Sequence, residues 1–352
     1  MPSHHRAVPS QVATHVVIWA LGAAVIAVAA VLVVGITTSW FRVSTSRAPR
    51  PGDQFVVLDE TSAATAAGAG SESSGTVAST PTAEDELAAA QYLAAQPTAY
   101  WLTPERDPIG AVGARVTDLA SEARAQDATL VLVVYGLPER DCGAYSAGGL
   151  DTADYPVWID EISAALAEAS DVRAVVVLEP DSLALATECG NLDDRVAQLQ
   201  SAIATLQRED TWIYLDGGHS NWHPATETAE LLAAVGLDGV RGFSVNVSNF
   251  NTTDAETTYA HAVVAALEAR GVTADVHAVI DTSRNGAGST GQWCNPSGRR
   301  VGAVSGAVGD DVVDTNLWIK PPGESDGTCN GGPAAGVWWP AAAVELTQDV
   351  RG

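Results

Sequence analysis

The amino-acid sequence predicts an α/β fold, a distorted, TIM-like (β/α) barrel of about seven parallel strands. Three observations predict it: short apolar runs typical of buried strands recur along the chain, helical patterns lie between most of them, and each run ends near a polar residue. An open nucleotide-binding sheet would carry a glycine-rich turn after its first strand, and "GLPERDCGAY" contains no G-x-G-x-x-G. We therefore expect a barrel whose strand ends converge on one mouth.

A hydrophobic segment precedes the predicted barrel. After a short tail of residues 1–15, the apolar run from Val16 to Ile36 has 21 residues, enough at ~1.5 Å per residue to cross a ~30 Å hydrocarbon core. Because signal-peptide cores usually have about 7–15 residues, the length favours a transmembrane anchor over a long signal peptide. The flanking arginines do not settle its orientation.

Residues 37–86 are predicted to be a flexible linker. The stretch from Thr61 to Glu84, "TSAATAAGAGSESSGTVASTPTAE", is small and polar and has no apolar period, so we expect no secondary structure there. The folded domain then comprises residues 87–352, which is close to the upper size for a single core.

The predicted strands and helices alternate along this domain. The strands are Thr129–Leu137, Arg173–Asp181, Thr211–Gly218, Gly242–Asn249, Asp275–Gly286 and Asp314–Pro322. Helical patterns cover residues 157–169, 191–208, 226–237 and 256–271. This spacing indicates parallel βα units.

Polar residues that could take part in catalysis follow the predicted strands. They are Asp141, Asp181, Asp216, Asn249, Asp281, Arg284, Lys320 and Asp326. Several carboxylates in one cleft would raise the pKa of some members through like-charge repulsion, so that one can act as a general acid near neutral pH. The alternative for a single aspartate is a helix N-cap, and Asp181, followed by Ser182, fits that alternative best.

Charge restricts the kinds of partner. The formal net charge of −25 argues against a nucleic-acid partner, which needs a basic face on the protein, and fits an exported protein that must stay soluble.

Lys320 is the only lysine, in the loop sequence "WIKPPGESDG" beside Glu324. Because the other basic residues are arginines, we expect a site that requires a compact ammonium group.

Several motifs carry a resemblance to a known family. "VVYGLPERDCGAYSAGG" and "VVVLEPDSLALATECG" closely resemble the two signature segments of glycoside hydrolase family 6, the inverting cellulases. The likeness continues in the family's order through "YLDGGHSNW", "GFSVNVSNF", "IDTSRNG", "QWCNPSGRRVG" and "WIKPPGESDGTC", from Trp101 to the C-terminus.

The resemblance implies a role for individual residues. Asp181 matches the general acid, Asp141 the aspartate that assists its protonation, Asp326 the residue proposed as general base, and Tyr135 the tyrosine under the distorted sugar ring. Implied substrate-binding residues are Trp101, Arg140, Asp216, His219, Trp222, Asn249, Arg284, Trp293, Lys320 and Glu324. Such an inverting pair of carboxyl groups stands ~6.5–9.5 Å apart to admit a water.

The four cysteines fit an exported protein and allow three pairings. The family pattern implies Cys142 with Cys189 and Cys294 with Cys329, which would tie down the loops that carry the catalytic groups. A zinc site is the rival interpretation, but no C-x-x-C occurs. His219 and His223 have no evident third ligand, so we expect neither a metal nor another cofactor.

The lengths of the loops indicate how a polymer is cleaved. Exo-acting relatives roof the cleft with long insertions, and the stretches from Cys142 to Val157 and from Cys294 to Cys329 are short. The resemblance therefore implies an endo-β-1,4-glucanase, with a cellobiohydrolase, a lapsed glycan-binding protein or a carboxylate metal hydrolase as alternatives. We expect a monomer that binds β-1,4-glucan outside the cell, either secreted or tethered through residues 16–36.

Overall fold

A computed structural model describes residues 47–70, 82–143 and 146–351. The predicted hydrophobic segment of residues 16–36 lies outside these ranges. In the described part of the chain, no helix is long and apolar enough to cross a membrane.

The architecture is a sheet of seven parallel strands that pair in chain order, β1 to β7. The strands are β1 Tyr100–Leu102, β2 Leu130–Val134, β3 Ala174–Leu178, β4 Thr211–Asp216, β5 Gly242–Val245, β6 His277–Asp281 and β7 Val313–Leu317. The sheet curls into a half-barrel, consistent with the predicted TIM-like α/β fold.

Helices pack on the outer face of this sheet or form a separate apolar cluster beside it. They are α1 Ser62–Gly70, α2 Ala83–Ala94, α3 Val112–Ala125, α4 Tyr155–Glu168, α5 Ser182–Cys189, α6 Leu192–Leu206, α7 Ala225–Val235, α8 Thr253–Ala269 and α9 Pro340–Thr347. The four predicted helices correspond to α4, α6, α7 and α8.

Alternation along the strands divides the core into two layers. In β2, Val131 and Val133 belong to an inner cluster, whereas Leu130, Leu132 and Val134 belong to an outer cluster with the helices. β3 follows the same pattern. Successive side chains of a strand point to opposite faces, so the apolar run seals both faces of the sheet.

The seam between β1 and β7 is bridged by single contacts and has no strand ladder. The backbone N–H of Ala99 donates to the carbonyl of Trp318 at 2.9 Å, and the indole N–H of Trp101 donates to the carbonyl of Ile319 at 2.8 Å. Beside β2, Phe55 forms a parallel bridge with Thr129. Residues from the predicted linker therefore help to complete the curled sheet.

The expected lack of structure between Thr61 and Glu84 is wrong for the described part of that stretch. Ser62–Gly70 is helical, and Thr82 begins α2 with a capping box in which its hydroxyl and the Asp85 carboxylate exchange hydrogen bonds with the backbone. Ala63 is buried with Ala89 and Trp318 in a third apolar cluster. Alanine is small and a strong helix former, so a weakly periodic segment can still pack as a helix.

Candidate active site

The carboxyl ends of the strands are joined by buried carboxylates. Asp281, at the end of β6, is fully buried and accepts backbone N–H groups at 2.9–3.2 Å from residues after β5, β6 and β7. Those donors belong to Ser248, Ser283, Ile319 and Lys320. Asp281 therefore holds the loops of the mouth together.

Asp181 follows β3 in a left-handed backbone conformation, with φ of 66°. It stands at the N-terminus of α5, but its side chain makes no capping hydrogen bond. The helix-cap alternative therefore does not describe its carboxylate. Burial, followed by the negative charges of Asp216 and Asp141, raises the pKa of Asp181 well above its ordinary value. A carboxyl group that stays protonated in this setting can act as a general acid.

Asp216, at the end of β4, holds the backbone of Asp181 in place. Its Oδ2 accepts the backbone N–H groups of Asp181 at 2.9 Å and Gly218 at 3.2 Å, and its Oδ1 accepts the Ser244 hydroxyl at 3.2 Å. Burial raises the pKa of Asp216 to about 6. Asp216 is only 1% exposed, so its position differs from that expected of a residue lining the cleft surface.

Tyr135 and Asp141 form a second acidic group near Asp181. The Tyr135 hydroxyl lies 2.9 Å from both carboxylate oxygens of Asp141. Burial and the charges of Asp141 and Asp181 raise the pKa of Tyr135 far above its usual range, so the phenol remains a donor. The Arg140 guanidinium lies 4.4 Å from the Tyr135 ring and donates to the Tyr135 carbonyl at 2.8 Å.

Arg140 is held in turn by Glu105, a residue that the sequence analysis did not single out. The Arg140 Nη2 donates to Glu105 Oε1 at 3.0 Å. Glu105 follows β1, a strand that was also missed. Its only sequence signal was its position in a loop after an aromatic segment.

Asp326 is paired with Arg284. The Arg284 Nη1 donates to both oxygens of Asp326 at 2.8 and 3.0 Å, and the backbone N–H of Asn295 donates to Oδ2 at 3.0 Å. Both side chains of the ion pair are buried. A carboxylate has about four lone-pair positions, so these three contacts leave room for about one further donor, such as a water.

Lys320, the only lysine, lies in a small polar group at the seam. Its ammonium is 3.6 Å from Glu324 Oε2 and 5.8 Å from the ring centroid of Trp101. The Ser62 hydroxyl donates to Glu324 Oε1 at 2.7 Å. Trp101 also packs edge-on against Tyr135, with centroids 5.1 Å apart. Ser62 was not predicted as a site residue, because its stretch of small and polar residues indicated a flexible linker.

His219 and Trp222 lie on the loop that follows β4. Their ring centroids are 5.5 Å apart, and Trp222 stacks on His223 at 5.7 Å. Burial, with a smaller effect of His223, lowers the pKa of His219 to about 4, so the ring is neutral in ordinary buffers. His223 contacts the Ala184 carbonyl at 2.9 Å and so links this loop to α5.

The remaining predicted binding residues, Asn249 and Trp293, lie on the segments that follow β5 and β6. Trp293 is 50% exposed, as a stacking platform would be. Asn249 is partly buried, and its amide donates to the Val247 carbonyl at 3.4 Å. A cavity of about 460 Å³ beside Arg284 and Glu324 has Phe250 and Trp339 among its walls.

Two disulfides fix the loops that carry Asp141 and Asp326. Cys142 pairs with Cys189 and Cys294 pairs with Cys329, the pairing that the family resemblance implies. The first bond links the loop after β2 to the end of α5. Each of the two bonds therefore anchors a loop that carries a candidate catalytic carboxylate.

One exposed group among the described residues has side chains close enough to share a metal ion, namely His261, Asp310 and Asp311. His261 Nε2 already contacts Asp310 at 2.8 Å. Exposed acidic groups of this kind are common without a metal, and these three residues lie outside the predicted set of site residues.

Comparisons with known proteins agree with the motifs. The family model described as "Glycosyl hydrolases family 6" matches residues 60–350. Endoglucanase A of Cellulomonas fimi is 40% identical over 260 residues, which cover 74% of this chain and 56% of that protein. The chain therefore spans about half the length of this curated relative.

Solved structures of two cellulases are similar to this chain in sequence and in fold. The endoglucanase Cel6 from Mycobacterium tuberculosis, in complex with methyl-cellobiosyl-4-deoxy-4-thio-β-D-cellobioside, is 38% identical with a TM-score of 0.72, and the match covers 84% of this chain and 96% of that chain. Cellobiohydrolase II (Cel6A) from Humicola insolens, in complex with glucose and cellotetraose, is 28% identical with a TM-score of 0.71, and that match covers 84% and 97%.

Proposed function

Because the chain belongs to glycosyl hydrolases family 6, we propose that it hydrolyses internal β-1,4-glucosidic bonds of cellulose or a related β-glucan with inversion. The arrangement of Asp181 supports this reaction. Its carboxyl group makes no helix-cap hydrogen bond, and its backbone is held by Asp216. Burial, followed by the charges of two neighbouring aspartates, raises its pKa and so favours its protonated form. This arrangement suits an acid that protonates the glycosidic oxygen.

The other carboxylates have supporting roles in the proposed reaction. Asp181 gives its proton to the leaving sugar, while a water attacks the anomeric carbon from the opposite face. Asp141, held by the Tyr135 hydroxyl, keeps negative charge near Asp181 and so favours the protonated acid. Asp326 accepts the proton of the water as general base, through the lone-pair position that its three contacts with Arg284 and Asn295 leave open.

Binding of the glucan is assigned to the aromatic and charged side chains around the mouth. Indole faces suit the C–H faces of glucose rings, so Trp101, Trp222 and Trp293 are the proposed platforms. Lys320 and Glu324 together offer donors and acceptors to the hydroxyls of the sugar that stacks on Trp101. Two relatives in this family were solved with bound cello-oligosaccharides or their analogues, which supports that assignment.

We further propose that the protein works outside the cell as a monomer, either secreted or tethered through residues 16–36. Two disulfides fit an oxidising compartment. The proposed reaction needs no metal, because side-chain carboxyl groups supply both the acid and the base.

The endo mode is tested by viscometry of a soluble cellulose ether, carboxymethylcellulose. Only 35 positions separate Cys294 from Cys329, which supports an open cleft, so the full-length protein should cut chains internally. We expect viscosity to fall steeply while few reducing ends have formed. A slow fall in viscosity that is proportional to cellobiose release would favour a cellobiohydrolase, and binding without hydrolysis would favour the glycan-binding alternative.

A further inference from the structure

We propose that Glu256 and Asn251 are positioning residues that fix the tautomer of His219, so that its neutral ring presents Nε2–H to the substrate. The tautomer is a property of the free protein. The part of the inference that concerns a sugar on the leaving-group side rests on the proposed function.

The Nδ1 atom of His219 is surrounded by donors. The side-chain Nδ2 of Asn251 lies 3.1 Å from it, and the backbone N of Asn221 lies 3.3 Å from it. A backbone N–H can only donate, so Nδ1 must accept. A neutral imidazole that accepts at Nδ1 carries its proton on Nε2.

The orientation of the Asn251 amide is fixed independently of His219. Its Nδ2 donates to Glu256 Oε1 at 2.9 Å, and its Oδ1 accepts from Asn221 Nδ2 at 2.8 Å. A carboxylate accepts hydrogen bonds, so the amide nitrogen has to face Glu256. The backbone N–H of Asn251 donates to Asn246 Oδ1 at 3.1 Å, which holds the residue in place.

Glu256 is buried at the start of α8, with 0% exposure. Besides Asn251, it accepts the hydroxyl of Ser220 at 2.6 Å and the backbone N–H of Ser220 at 3.1 Å. A buried carboxylate is costly unless it is hydrogen-bonded, and these donors come from the loop of His219. The hydrogen bonds from Ser220 therefore offset the cost of burying the Glu256 carboxylate, and they also fix the loop that carries His219.

The loop of His219 is tied to the candidate acid. Asp216 Oδ2 accepts the backbone N–H of Asp181 and that of Gly218, the residue before His219. Nε2 has no hydrogen-bond partner among the described residues and is not one of their buried unpaired atoms. The Nε2–H group is thus available to a sugar hydroxyl on the side where Asp181 protonates the leaving group.

The tautomer can be measured in the unmodified full-length protein. With ¹⁵N-labelled histidine, long-range ¹H–¹⁵N spectra distinguish a protonated ring nitrogen from an unprotonated one, and His219→Gln identifies the resonances of His219. We expect Nδ1 unprotonated and Nε2 protonated at neutral pH. A proton on Nδ1 would overturn the proposal without reference to any variant.

Asn251→Asp then exchanges a donor for an acceptor of the same shape. The introduced carboxylate oxygen would lie 3.1 Å from Nδ1, closer than the backbone N of Asn221 at 3.3 Å. A charged acceptor forms the stronger hydrogen bond, so we expect it to outcompete the Asn221 N–H and the proton of His219 to move to Nδ1. We expect kcat/KM on cello-oligosaccharides to fall about tenfold, as for the loss of one hydrogen bond. Gln91→Glu, which adds the same charge at an exposed position of α2, should change neither quantity.

The outcomes test the positioning role of Asn251 and the substrate-binding role of Nε2–H separately. An unchanged tautomer in Asn251→Asp overturns the positioning role. A shifted tautomer with unchanged kcat/KM overturns the role of Nε2–H in substrate binding. If the unmodified protein hydrolyses no β-glucan, the proposed function fails, while the spectra still decide the tautomer.

Discussion

Asp181→Asn is expected to lower kcat on cellopentaose by about 10³-fold, with little change in KM. General acid catalysis contributes about 10²–10⁴-fold, and an amide of the same shape cannot protonate the leaving glucosyl oxygen. Steady-state kinetics over the pH range in which the unmodified protein is active measure the loss. Asp238→Asn removes a charge at an exposed position and should leave kcat unchanged.

A substrate that needs no acid separates this role from simple structural damage. Fluoride leaves a β-cellobiosyl fluoride without being protonated by a general acid. We therefore expect Asp181→Asn to retain most of its activity on that substrate, because the binding groups and the water are still in place. An equal loss on both substrates would contradict the assignment of Asp181 as acid.

The residues that precede position 87 are expected to be necessary for the stability of the domain. A chain shortened to residues 87–352, the boundary that the sequence analysis suggested, is expected to be unfolded or inactive at 37 °C. It would lose the buried side chains of Phe55, Val56 and Leu58, worth roughly 1.5–3 kcal/mol each. That sum is comparable to the total stability of about 5–15 kcal/mol of a typical domain. It would also lose the contact of Ser62 with Glu324.

The matched control is a chain of residues 47–352. It retains the bridge of Phe55 with Thr129 and all of α1, so it should unfold cooperatively in urea and hydrolyse cellopentaose. Circular dichroism and activity are measured on both chains. If the shorter chain is as stable and active as the longer one, the structural role given to residues 47–70 and 82–86 is wrong.

The fold could be predicted where local pattern and tertiary structure agree. The valine-rich runs of β2 and β3 are buried on both faces, and such runs are typical of parallel strands. β1 was missed because it has only three residues, Tyr100–Leu102, too few for a periodic signal. α3 was also missed, although Val112, Val116, Leu119 and Ala123 are buried at helical spacing.

The candidate site was predictable in its residue types more than in its contacts. Strand-end positions and family motifs identified Asp181, Asp141 and Asp326. The sequence could not indicate that Asp216 would hold the Asp181 backbone, or that Ser62 would reach Glu324 across 262 positions of the chain. Such contacts depend on how loops from different strands meet, and no local pattern encodes them.

In the proposed mechanism, Asp181 protonates the leaving group while a water attacks the anomeric carbon from the opposite side. Proton NMR of cellopentaose within minutes of adding the full-length protein distinguishes this mechanism from retention, because the anomer of each new reducing end is visible before mutarotation. We predict fresh α-anomer, the result of inversion at a β-glucosidic bond. Fresh β-anomer would contradict the mechanism, since it would require retention through a covalent intermediate.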